Sequence, residues 1–117
     1  NKLKADAMLM DSERSIYRQK QQVQAMVKDL SAARSFLTEQ KKQLTKTQQA
    51  VKQAGQAYEM YMARYRSGLI SLTELLQIQV YLQQAEADHV DASRDYWLQL
   101  AEEAELIADF GYLFDNL

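Results

Sequence analysis

His89, the one histidine of this 117-residue chain, stands three residues after Glu86. A Glu-x-x-His step puts a carboxylate and an imidazole on one helix face, which is half of the motif from which di-metal carboxylate sites are built. The other half is missing. There is no second histidine and no cysteine to supply a thiolate, and one Glu–His pair falls short of the three or four ligands that zinc takes from a protein. No serine, histidine and acid can converge as a triad if they all lie along one extended helical element. Gly55, Gly68 and Gly111 are isolated from one another, so no glycine-rich loop is available to cradle a phosphate. Lys41, Lys42 and Lys46 form the densest basic cluster, but a glutamine-rich stretch follows one turn later. Nucleic-acid binding usually needs a basic face; this cluster reads as a solvated one. Tyr58, Tyr61 and Tyr65 could stack a ligand, yet their three- and four-residue spacing is that of a helix seam. The expectation is that the chain has no catalytic residue, no cofactor and no metal, and that His89 pairs with a polar neighbour across a helix interface.

What must position these residues is helix. Leu9, Ile16, Val23, Leu30, Leu37, Leu44, Val51, Tyr58 and Tyr65 are spaced seven apart, and each is large and apolar or aromatic. An α-helix has 3.6 residues per turn, so a strict repeat of seven marks a helix that winds around a partner. Alanine and glutamine, which suit helices, occur fifteen times each, and proline is absent. No hairpin turn or alternating β-branched run argues for strands. A first helix over residues 3–66 would be about 100 Å long, too long for a compact small domain. Taking the heptad row as position a, position d reads Ser12, Gln19, Met26, Ala33, Gln40, Thr47, Ala54 and Tyr61. This is a small or neutral-polar row, where a self-sufficient two-stranded coil would prefer leucine. Small residues let backbones approach, and Phe36, Ala50 and Ala57 add part of a third stripe. A face this wide suggests more than one neighbouring helix, as in a sheet-like array or tube of helices.

The repeat stops at Ser67-Gly68. Gly68 can take the left-handed conformation that closes a helix, and Ser71-x-x-Glu74 is a capping box that opens the next one. Ile70 can staple onto Leu75, while Leu69 is left at the tip. Stop and start signals this close force two antiparallel helices. The returning seam reads Leu75, Ile78, Leu82, Ala85, His89, Ala92, Tyr96, Gln99 and Leu106, over a helix of about 72–109 that ends before Gly111. The arms are therefore unequal, and residues 1–30 would have to find helices that this chain does not contain. The aromatic segment from Phe110 to Leu117 should cover something absent or pack on the Phe36 region.

Net charge is −2 with the charges interspersed along the chain, which gives no basic face for nucleic acid. The absence of cysteine excludes disulfides and suits an oxidising compartment. No apolar run approaches the roughly 18 residues of a membrane-spanning helix, and no signal peptide is visible. The chain reads as one piece, residues 1–117, of a larger protein.

Residues Ala57-Tyr58-x-x-Tyr61-x-x-x-Tyr65-Arg66-Ser67-Gly68-Leu69-Ile70-Ser71-Leu72-Thr73-Glu74-Leu75-Leu76, followed by Gln79, Leu82 and Ala85, resemble the TolC family of outer-membrane efflux channels. Ala92, Tyr96 and Leu98, and then Leu106-Ile107-Ala108-Asp109-Phe110-Gly111, are similar to later parts of the family's structural repeat. The likeness runs over essentially the whole chain and is most specific around Gly68. It implies an all-α antiparallel hairpin that forms part of an α-barrel, with no β-barrel portion present. It further implies a periplasmic tunnel segment of a trimeric outer-membrane channel, a passive conduit and not an enzyme, in the Gram-negative envelope. The partners would be a periplasmic adaptor and an inner-membrane pump. The tip, Arg66, Ser67, Gly68, Leu69, Ile70 and Ser71, would be where the adaptor docks, and Glu74 would sit near the entrance aperture. Two positions depart from the family pattern: Gln77 stands where some members place a second acid, and Ile78 where many have alanine.

Two other readings compete. The chain could be the α-hairpin of a periplasmic adaptor, but the R-x-x-x-L-x-x-x-x-x-x-S pattern of such tips fails here: Arg66 is followed by Ile70 and Gln77, and Arg64 by Gly68 and Leu75. A coiled-coil scaffold without transport role fits the heptads but does not need this turn.

Overall fold

The computed structural model describes residues 1–116; Leu117, the last residue of the aromatic segment, lies outside the described residues. Two helices, α1 (Lys2–Arg66) and α2 (Leu72–Asp115), form an antiparallel hairpin, and the described residues contain no strand. The all-α hairpin expected from the heptads is the observed fold, with the tip at residues 67–71. Asn1 caps α1, its Oδ1 accepting the Leu3 N–H at 3.1 Å, as the orphan donors of a helix start require.

The chain divides into two compact units. The first comprises residues 36–101 and contains the tip. Its core is made of small side chains: Ala54, which is fully buried, Thr47, Ala85 and Ala92, joined by Leu75. The larger a-position residues Leu37, Leu44, Val51 and Tyr58 are half-buried beside them. Thr47 and Ala54 of row d are therefore the most enclosed residues of α1 in this unit. Alanine places backbone near backbone, and the longer side chains of row a close over the sides of the contact. On α2 every residue of the expected seam from Leu75 to Gln99 is buried or half-buried. The register is fixed by a cross-hairpin hydrogen bond between Thr47 Oγ1 and His89 Nδ1, 3.0 Å long. From that point, each step up α1 is matched by a step back along α2.

The second unit joins residues 1–35 to the chain from residue 102 onward. Here Ala33 is buried, and Val23, Met26 and Leu30 on α1 and Leu106, Phe110 and Leu113 on α2 are half-buried. Arg34 Nε meets Glu103 Oε1 at 3.2 Å; the Glu103 side chain is 13% exposed and the arginine 65%. The Arg34 side chain is thus largely exposed, and its charge meets a carboxylate that the helix pair has largely enclosed.

Three expectations are corrected in this unit. α2 does not stop before Gly111 but continues through it to Asp115. Glycine ends a helix only when its backbone turns left-handed, and the only glycine with positive φ is Gly68. Around Gly111 the helix is held by a Phe110–Phe114 ring pair with centroids 4.7 Å apart and by Leu113 against α1. These contacts outweigh the roughly 1 kcal/mol that an interior glycine costs. The turn is closed by Asn116, whose N–H donates to the Tyr112 and Leu113 carbonyls and whose Nδ2 donates to the Tyr112 carbonyl. The aromatic segment does not rest on Phe36, which is exposed; Tyr112 and Leu113 instead line a groove with Gln22, Ala25 and Met26. The unpartnered part of α1 is consequently shorter than the thirty residues anticipated: every residue from Asn1 to Arg18 is exposed, and burial begins at Gln19.

Candidate functional site

The tip is the part of the chain with the most specified geometry, and each specification can be traced to one residue. At the end of α1, Gly68 adopts φ 75°. Its N–H donates to the Tyr65 carbonyl at 3.0 Å and the Leu69 N–H to the Arg64 carbonyl at 2.8 Å. This nested pair is a Schellman closure, in which two carbonyls that the helix end would orphan are satisfied by the backbone itself. Three residues later Ser71 Oγ accepts the Glu74 N–H at 3.2 Å, and the Leu75 N–H donates to the Ser71 carbonyl, so Ser71 is the N-cap of α2. Ile70, half-buried, and Leu75, buried, occupy the two staple positions around that cap. Arg64 and Arg66 lie in the last turn of α1 and Glu74 in the first turn of α2. Each charge complements the partial charge of its helix end. Both helix ends at the turn are thereby closed by local bonds.

Of the residues assigned to the tip, Arg66, Ser67, Gly68, Leu69 and Ser71 are exposed and Ile70 is half-buried. Leu69 stands out at 74% exposure. A Cβ built on Gly68 would meet nothing within 4 Å, so only backbone strain, and not crowding, opposes a side chain there. Arg64 folds back over α1, its Nη2 3.5 Å from the Met60 sulfur and its Cζ 5.8 Å from the centre of the Tyr61 ring.

One turn below, Tyr61 of α1 and Glu74, Gln77, Ile78 and Tyr81 of α2 line a shallow groove. Glu74 is thus beside a tyrosine from the opposite helix, on the same side of the hairpin as Gln77. Ile78 is half-buried in the seam, which accounts for a bulky residue where the family pattern favours alanine: it fills space next to Tyr61. Tyr58 and Tyr61 are seam residues, as their spacing indicated, and Tyr65 is more open.

His89 is where the sequence put it, in the seam, and its partner is Thr47. The Thr47 hydroxyl lies 2.9 Å from the Gln43 carbonyl and 3.0 Å from the Leu44 carbonyl. Having one proton, a hydroxyl that donates to those carbonyls receives the Nδ1–H of His89. The pair therefore satisfies a polar position in the core. Among the described residues no group of three or more His, Cys, Asp or Glu side chains is placed to hold a metal, and no helix is long and apolar enough to cross a membrane.

The charges, interspersed when counted along the chain, separate once the turn divides it: α1 carries thirteen basic and six acidic residues, α2 one basic and ten acidic. Reading the chain as a single string hides this sorting. A count on either side of Gly68 is the signal that reveals it.

A family model described as outer membrane efflux protein matches residues 1–106 of the chain. No match was found among curated proteins or among solved structures.

Proposed function

The chain belongs to the outer membrane efflux protein family, and from that premise we propose that it is a periplasmic tunnel segment of a trimeric export channel, a passive conduit whose tip docks a periplasmic adaptor coupled to an inner-membrane pump. The observation that carries this reading is the doubly capped turn from Arg66 to Ser71, which holds Leu69 outward at the end of a closed seam. An apolar side chain on a stiff, polar loop is a poor device for stability and a good one for recognition, since little ordering entropy is lost on docking. The first turns of α1, exposed from Asn1 to Arg18 with Leu9 and Ile16 each 61% exposed, fit a helix that continues its heptads onto neighbouring helices of such a tunnel.

Transport needs the entrance to open. In this reading the groove of Tyr61, Glu74, Gln77, Ile78 and Tyr81 lies at the aperture, and the seam around Tyr58, Tyr61 and Leu75 is the element that repacks. Packed seams shift between discrete arrangements, not continuously, so the gate would be two-state.

The test is export by the full-length channel carrying Glu74→Lys or Gly68→Leu. Both variants are expected to reach the outer membrane at wild-type levels and to lose adaptor-dependent export. The glycine change acts by straining a left-handed backbone position, the glutamate change by reversing charge at the groove. Unimpaired export with both substitutions present would remove the tip and aperture from the mechanism.

A further inference from the structure

In the unit of residues 1–35 and the chain from 102 onward, a groove of about 380 Å³ lies between the two helices. Gln22, Ala25 and Met26 line it from α1, and Asp109, Tyr112 and Leu113 from α2. The volume is within the range of small-molecule sites. Met26 and Leu113 are half-buried and supply its inner, apolar surface. Tyr112 is 72% exposed and leaves its ring open to water. Asp109 is the only charged residue of the lining, and its carboxylate has no hydrogen-bond or salt-bridge partner among the described residues.

The surroundings of that carboxylate add to its negative potential. Glu105 and Glu102 precede Asp109 by four and seven residues and are exposed; at those spacings they share its side of α2. The helix then ends at Asp115 with no basic residue in its last turn, so its own side chains leave the negative partial charge of the C-terminus uncompensated. The bases of α1 around this level, Arg18, Lys20 and Lys28, do not line the groove.

We propose that this groove binds a planar aromatic cation, with the ring system laid on Met26, Leu113 and Tyr112 and the charge facing Asp109. Each part of that ligand answers one feature of the lining. A cation within reach of the Tyr112 ring gains cation–π attraction, and the thioether of Met26 makes favourable contact with an aromatic body. A bare divalent ion would find one carboxylate where it needs several oxygen ligands, and an anion would meet an acidic field with no base in the lining. The inference concerns the chain itself and does not depend on the export reading.

Fluorescence titration of the 117-residue chain with ethidium, a permanently charged planar aromatic, tests it. Saturable binding at one site is expected. The anionic aromatic 1-anilinonaphthalene-8-sulfonate should bind about tenfold more weakly or worse, since its charge has the wrong sign for the site. Asp109→Asn keeps the shape and removes the charge, and should weaken ethidium about fivefold, the upper range for an exposed charge pair. Tyr112→Leu keeps an apolar side chain but removes the ring, and should weaken it about threefold. Asp88→Asn, in the other unit, should change nothing. Circular dichroism verifies that the variants remain helical. Of the five methionines, only the Met26 methyl should shift in the carbon-proton spectrum of methyl-labelled chain as ethidium is added. No binding of ethidium up to roughly 1 mM, binding of the anion as tight as that of the cation, helical Asp109→Asn chain that binds ethidium as the wild type does, or methyl shifts at Met8, Met10, Met60 or Met62 in place of Met26 would overturn the proposal.

Discussion

The two units use one heptad repeat in opposite ways. In residues 36–101, Thr47 and Ala54 of row d are buried, Leu37, Leu44, Val51 and Tyr58 of row a are half-buried, and a hydrogen bond between Thr47 and His89 sets the register. In the unit formed by residues 1–35 and the chain from 102 onward, the same repeat starts as a fully exposed face and becomes a seam only from Gln19. The difference teaches that a heptad specifies a partner's geometry but not the partner. Leu9 and Leu44 are the same residue at the same heptad position; one is exposed and the other half-buried. Isolated helix is marginal in water, and tertiary packing supplies most helical stability. Backbone amides of residues 1–18 should therefore exchange with solvent well before those of residues 40–58.

Substitutions that act on one unit and spare the other would sharpen or break this contrast. The largest effect is expected at Ala54, which has no exposed surface. Ala54→Leu inserts a side chain where two backbones meet and should cost about 3 kcal/mol, the upper range for overpacking, read as a fall in the urea midpoint. Thr47→Val keeps the volume but removes the hydroxyl that is hydrogen-bonded to His89. The loss should be about 2 kcal/mol, since an unmet polar group in a half-buried site costs more than the bond contributes. If the valine variant is as stable as wild type, water has replaced the hydroxyl and the pair does not set the register. Gly68→Ala forces a β-carbon onto a φ of 75° in open space, and its cost should be backbone strain alone, about 1 kcal/mol.

In the other unit the signs change. Gly111 is helical, with negative φ, and a β-carbon added there would meet nothing within 4 Å. Gly111→Ala should raise stability by about 0.5–1 kcal/mol, visible as a higher melting temperature. The same Gly→Ala change thus has opposite signs at the two positions, which separates a cap glycine from a helical one. The smallest effect is expected at Ile16→Gln, within about 0.5 kcal/mol of zero for the chain alone, because the residue is largely exposed. A large loss would show that the exposed face is covered.

The local signals were legible because local chemistry decides them. Gly68, Ser71 and Glu74 define the tip through bonds that span no more than five residues, so their order in the chain is enough. The seam of α2 was legible for the same reason: three- and four-residue spacing needs only helical pitch. Gly111 was not, because its conformation is set by Leu113 against α1 and by the Phe110–Phe114 pair, contacts that exist only after the chain has turned back. The Arg34–Glu103 pair likewise joins residues 69 apart in sequence.

The charge sorting lies between these cases. Every lysine and carboxylate was in plain view, yet a flank acquires a sign only when a turn decides which residues share a helix. The residues themselves determined two antiparallel helices, their tip and the faces they bury, because periodicity and capping are properties of neighbouring residues. Only the tertiary structure decided where α2 ends and how much of α1 is left without a partner. Those depend on distances between residues far apart in the chain, and periodicity carries no information about such distances until the register has been fixed.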